Sequence, residues 1–158
     1  MSWDRRFLKL AEHISGWSKD PSTKCGAVIV RPNRTIASTG YNGFPRGCLD
    51  DAHLYADRNY KYPVVVHAEA NAITTARTPL DDCTIYLWTG PKRIFTCASC
   101  AGLIIQSGIK RVVAQGPMDP VHWKEDQDLA SDMYGQAGVA FEILEEKRGW
   151  TGSGYPLS

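Results

Sequence analysis

Four side chains carry most of the chemistry that this sequence can do: His67, Glu69, Cys97 and Cys100. The cysteines stand at i and i+3, a spacing that puts both on one face of a helix start. There the helix dipole and free N–H groups favour thiolates. One histidine and two thiolates make three ligands for a metal that takes four. A zinc site with three protein ligands leaves its last position to water, which is the catalytic pattern. Glu69 lies two residues past the histidine, near enough to exchange protons with that water without being a ligand itself. Such a carboxylate accepts a proton from the water and delivers protons to a ring nitrogen and a departing amino group, as hydrolytic deamination requires. The alternative is a closed structural zinc, with Cys83 or Cys48 as fourth ligand; it would leave Glu69 without a role. Cys25 reads as strand filler.

The elements that must position these residues follow from periodicity. Trp3, Phe7, Leu8, Ala11 and Ile14 recur at helical spacing, predicting a helix from about Asp4 to Ser15 with Asp4 as N-cap and Gly16 after its last turn. Cys25–Val30 and Thr35–Tyr41 are apolar, β-branched runs on either side of Arg31-Pro32-Asn33-Arg34 and read as a hairpin. The stretch from Gly40 to Tyr62 is polar and rich in turn residues, predicting a long surface loop of the kind that is usually functional. Val64-Val65-Val66 then leads to His67, which opens a helix over Ala68–Thr75. Thr84–Trp88 reads as a strand, Cys97–Ser107 as a helix closed by Gly108, and Arg111–Ala114 as a strand. Asp126–Ala137 reads as a helix and Val139–Leu144 as a last strand. The pattern predicts an α/β fold with helices on both faces of the sheet. One domain spans 1–158, with 149–158 as a loose tail.

Composition sets outer limits. Hydrophobic residues make up 43% and charged residues 22% of 158, which suits a packed globule. A formal net charge of +1 offers no field to hold a long polyanion, so nucleic acid is not an expected partner, whereas a small phosphorylated ligand needs only a few local cations. The opening MSWDRRFLKLAEHISGW has no apolar run resembling a secretory signal, and no stretch is long enough to cross a bilayer. The reading is therefore a cytoplasmic protein with reduced cysteines.

The H-x-E and C-x-x-C pair, in this order and separation, resembles the signature of zinc-dependent cytidine and deoxycytidylate deaminases. Thr96 stands where that signature usually has proline. SKDPSTKCGAVIV at 18–30, GYNGFPRG at 40–47, VHAEANAI at 66–73 and the QSGIKRVV stretch extend the resemblance from Trp3 to about Phe141. It implies a three-layer α/β/α fold with a five-stranded mixed sheet, one catalytic Zn2+, and conversion of dCMP to dUMP with release of ammonia, feeding thymidine nucleotide synthesis. It also implies a homohexamer activated by dCTP and inhibited by dTTP, with Mg2+ accompanying the triphosphates.

Residue by residue, the resemblance places Asn42 on the substrate sugar, the Ala68 backbone on the base carbonyl, and Glu69 on N3 and the amino group, with Lys19 as a phosphate contact. It places the regulator against Asn42, Gly43, Phe44 and Arg46, with Lys24 and Arg34 available to phosphates. Met118 stands where some relatives carry a tyrosine. A second metal would have only Cys48 and His53 to draw on and is not expected; His13 and His122, beside Trp123, read as surface residues. Two rivals differ in kind: a tRNA or single-stranded DNA base deaminase, which needs a basic approach surface, and a non-catalytic zinc module, which predicts no turnover. Preference between dCMP and dCTP stays open.

Overall fold

The computed structural model describes residues 1–90, 96–115 and 124–145. Eleven elements follow one another: α1 (Trp3–Ser15), β1 (Gly26–Val30), β2 (Ile36–Tyr41), α2 (Ala52–Ala56), α3 (Arg58–Val64), α4 (Ala68–Thr75), β3 (Thr84–Trp88), α5 (Ala98–Gln106), β4 (Arg111–Gln115), α6 (Lys124–Ala137) and β5 (Ala140–Leu144). The strands form one sheet in the order β2-β1-β3-β4-β5. β1 pairs antiparallel with β2 and β3, while β3–β4 and β4–β5 are parallel. The sheet is thus mixed, and its parallel half is built from two crossovers through α5 and α6, as parallel neighbours require.

Alternation along the strands separates two apolar layers. Val28, Val30, Tyr86 and Val113 face Phe7, Leu8, Ala11 and Ile14 of α1. Ala27, Ile29, Ile85, Leu87, Val112 and Ala114 point the other way, onto alanines of α4, Ala101 and Ile104 of α5, and Ala130 and Tyr134 of α6. β1 is buried at all five positions because both of its faces are covered. The outcome is the expected three-layer α/β/α arrangement.

Three local expectations differ. α1 is capped by Ser2, whose hydroxyl accepts from the Arg5 N–H at 3.3 Å, while Asp4 faces across to Arg111 at 2.7 Å and to the Tyr86 hydroxyl at 2.7 Å. The opposed cation wins the carboxylate away from the cap. The polar stretch after Gly43 is not all loop: it folds into α2 and α3, with Asp57 capping the second. Phe44 stacked on Tyr55, with ring centroids 4.2 Å apart, and Lys61 buried against Asp20 supply the tertiary contacts that override the weak local pattern. Before His67, Val64 ends α3, and only Val66 pairs, in a two-hydrogen-bond bridge with Gly43. Met118, His122, Trp123 and the 149–158 tail lie outside the described residues.

Candidate metal centre

Two helix starts meet at the site. His67 is the N-cap of α4 with extended backbone (φ −70°, ψ 157°), and its ring makes no capping hydrogen bond, so the imidazole projects away from the helix. The Gly43–Val66 bridge one residue earlier fixes the chain that delivers it. Cys97 is the N-cap of α5, and its sulfur accepts from the Cys100 N–H at 3.4 Å. His67 Nδ1 lies 3.5 Å from Cys97 Sγ and 3.4 Å from Cys100 Sγ. All three ligand atoms fall within 4.8 Å of one another. A tetrahedral zinc with Zn–S about 2.3 Å and Zn–N about 2.05 Å separates N from S by about 3.6 Å. The two nitrogen–sulfur separations therefore match those of a tetrahedral zinc site.

The electrostatics point the same way. The Cys97 thiol is pushed down to about 4, first by its hydrogen bond with Cys100 and also by His67 and the Cys100 amide. Cys100 moves up, because the neighbouring Cys97 sulfur takes the charge and burial penalises a second one. A dication between the sulfurs removes that opposition and allows two thiolates. Glu69 sits in the first turn of α4, 5% exposed, and burial raises its carboxyl above the usual range, with His67 pulling the other way. A carboxyl so placed exchanges a proton more readily near neutral pH than an exposed glutamate does.

Among the described residues, the metal-ligand grouping is His67, Cys97 and Cys100. Cys83 lies in the core beneath α4 and α5, and Cys48 is exposed. Cys25 stands just before β1, not in it; its N–H donates to Asn42 Oδ1 at 2.8 Å, and burial, followed by Glu69, pushes its thiol up to about 12. Thr96, in the proline position, is buried, with its hydroxyl 3.4 Å from the Cys97 carbonyl.

The remaining candidates divide. Ala68 is buried as the first residue of α4, where a helix leaves N–H groups without intrahelical partners. Asn42 is buried, and its side-chain amide bridges two backbone groups, donating to Thr23 O at 2.8 Å and accepting from Cys25 N. It fastens the 18–25 loop to the end of β2. Lys19 is exposed and ion-paired with Asp50 at 2.7 Å, and Lys24 donates to the Ser18 carbonyl. Phe44 has Tyr55 stacked on it and the edge of Tyr60 at 5.5 Å, beside Gly43 and the exposed Arg46. Arg34 is not brought to that group. It occupies the hairpin turn at φ 68°, over the Trp3 ring, while Asn42 follows the opposite end of the hairpin. Five residues of strand, about 16 Å, separate the two ends.

Sequence reasoning missed three residues around the site. Asp20 is fully buried, pairs with the nearly buried Lys61 at 2.6 Å, and accepts from the Ser22 and Thr23 amides. Asp126 accepts the Ala98 N–H through both oxygens at 3.3 Å. Lys61 sat in a polar run with no periodic signal; the acidic start of α6 was readable, its reach to α5 was not.

A buried carboxylate beside two cysteine sulfurs and an imidazole, all delivered by two helix starts, defines a zinc-dependent hydrolytic site. Residues 1–115 match the model of the cytidine and deoxycytidylate deaminase zinc-binding region. The chain is 42% identical over 139 residues to an uncharacterized deaminase from the luxG 3' region of Aliivibrio fischeri, covering 87% of this chain and 90% of that protein. It is 36% identical over 147 residues to human deoxycytidylate deaminase, covering 89% and 79%. A dCMP deaminase of cyanophage S-TIM5, solved with dCMP and dUMP, superposes with a TM-score of 0.72 at 26% identity, covering 91% of this chain and 99% of that one. The chain belongs to the cytidine and deoxycytidylate deaminase family and is a hydrolase. No helix among the described residues is long and apolar enough to cross a membrane.

Proposed function

We propose that the chain hydrolyses dCMP to dUMP and ammonia, with His67, Cys97 and Cys100 as zinc ligands and Glu69 as the proton carrier. The observation that carries this is the convergence of the three ligand atoms within 4.8 Å beside a buried glutamate. The choice of nucleotide is supported by the human relative and by the dCMP- and dUMP-bound cyanophage relative. Zinc, when held there, supplies the Lewis acidity that makes a water nucleophilic near neutral pH. Glu69 would take one proton of the attacking water and pass it to N3, then take the second from the resulting C4 hydroxyl and deliver it to the departing amino nitrogen, leaving a C4 carbonyl. The C4–O bond forms, the C4–N bond breaks, and ammonia leaves. Burial, which raises the Glu69 carboxyl above the usual carboxylate range, favours its taking up a proton. Asn42 and the Ala68 amide hold sugar and base carbonyl.

The same reading extends to dCTP activation and dTTP inhibition with Mg2+ at the Asn42–Arg46 loop, one domain over the whole chain, a homohexamer and a cytoplasmic setting. In support of a regulatory loop, the Phe44–Tyr55–Tyr60 cluster joins it to α3, which runs into His67. The test is ammonia release from dCMP, dCTP, cytidine and an RNA hairpin, each with and without dCTP or dTTP and Mg2+. Turnover of dCMP above the others supports the assignment. Preference for the hairpin, or turnover of nothing by the zinc-loaded protein, overturns it.

A further inference from the structure

We infer that Asp126 is a positioning residue for the zinc thiolates, acting from α6 through the backbone of α5. Cys97 and Cys100 depend on one helix start for their geometry. The Cys100 N–H is already committed to the Cys97 sulfur, and the Ala101 N–H to the Cys97 carbonyl at 2.9 Å. The Ala98 N–H is the donor directly after Cys97, and both Asp126 oxygens receive it at 3.3 Å from 28 residues along the chain. Holding that amide fixes the peptide plane that joins Ala98 to Cys97, and with it the direction of the Cys97 Cα–Cβ bond. The sequence around the C-x-x-C motif, residues 91–107, contains no carboxylate of its own. Thr96, where the family signature has a rigid proline, leaves the residue before Cys97 without a fixed φ, which makes an outside clamp on the next amide more consequential.

Partners outside the ligand shell commonly change metal affinity by about 10- to 100-fold when removed. The inference rests on the zinc reading above. The experiment follows zinc transfer from the loaded full chain to an excess of a chromophoric chelator, for the wild type, Asp126→Ala, Asp126→Asn and Asp128→Ala. Asp128 is an exposed acid on the same helix, paired with Lys124 at 2.6 Å, and serves as the control. Asp126→Ala releases zinc about 10- to 100-fold faster. Asp126→Asn keeps an acceptor oxygen and stays within about threefold of the wild type, and Asp128→Ala matches the wild type. If Asp126→Ala does not fold, Asp126→Ser, which suits a helix start but is too short to reach Ala98, takes its place with the same expectation. Release at the wild-type rate from a folded variant lacking the acceptor, or release from Asp126→Asn as fast as from Asp126→Ala, overturns the inference. A wild-type protein that binds no zinc instead refutes the metal site itself, an outcome distinct from both.

Discussion

Gly40 sets the distance between the sheet and the helix that carries Glu69, the proposed proton carrier. It pairs with Ala27 in the β1–β2 ladder, and a Cβ built on it stands 2.4 Å from the Ala68 carbonyl oxygen and 2.5 Å from the Ala72 nitrogen. Both obstacles are backbone of α4, so no side-chain rotation relieves them. Ordinary contact begins at 3.4 Å, so the Gly40→Ala variant must push α4 away by about 1 Å. Overpacking of this kind costs about 1–3 kcal/mol. For a chain of this size that is a fall in Tm of roughly 2–12 °C. The functional loss is larger in proportion, because α4 carries Glu69 and is entered through His67. A displacement of about 1 Å at a reacting group costs about 10²-fold in rate. Steady-state turnover of dCMP and thermal melting of the zinc-loaded protein read both quantities. Gly135→Ala is the control: its Cβ meets nothing within 4 Å in α6, and alanine there stabilises by up to about 1 kcal/mol. A Gly40→Ala protein with kcat/KM within threefold of the wild type and an unchanged Tm would refute the reasoning.

Three other outcomes follow. Glu69→Ala retains one zinc by elemental analysis while turnover falls by at least about 10²- to 10⁴-fold, the usual worth of positioned proton transfer; substantial residual activity contradicts its role. Lys61→Met or Asp20→Asn alone, by leaving a buried charge unpaired, destabilises by about 3–5 kcal/mol in chemical denaturation, and the double variant recovers much of the loss. The hydrogen bond from Arg111 holds the Asp4 carboxyl below its ordinary 3.8, so the unfolded chain binds the extra proton as pH falls and the contribution of Asp4 disappears below about pH 4. Asp4→Asn accordingly lowers Tm at pH 7 and narrows its gap to the wild type as the buffer is taken below pH 4; a gap independent of pH would count against the ion pair.

The metal site was legible because its ligands are rare residue types at helix starts, where local sequence sets the geometry. The sheet was legible for a similar reason: β1, β3 and β4 are short apolar runs and α1 has a clear apolar stripe. α2 and α3 were not, since they are short, lack a periodic apolar stripe and are held by contacts with Asp20, Asp50 and Phe44 that periodicity does not announce. The Asp4 cap failed because nothing local announces Arg111. Asn42 was expected at the substrate, and its side chain also ties two loops together, which spacing alone could not reveal. Arg34, close to the Asn42–Arg46 loop in sequence, stands at the other end of its hairpin, a separation that sequence order alone did not reveal.

The central claim concerns an ion held by three side chains with one position left open. X-ray absorption at the zinc edge of the purified, zinc-loaded chain tests it most directly. The expected result is two sulfur scatterers at about 2.3 Å, one imidazole nitrogen at about 2.0–2.1 Å and one further light atom that an added anion can replace. A third sulfur, or four protein ligands closing the sphere, would contradict it.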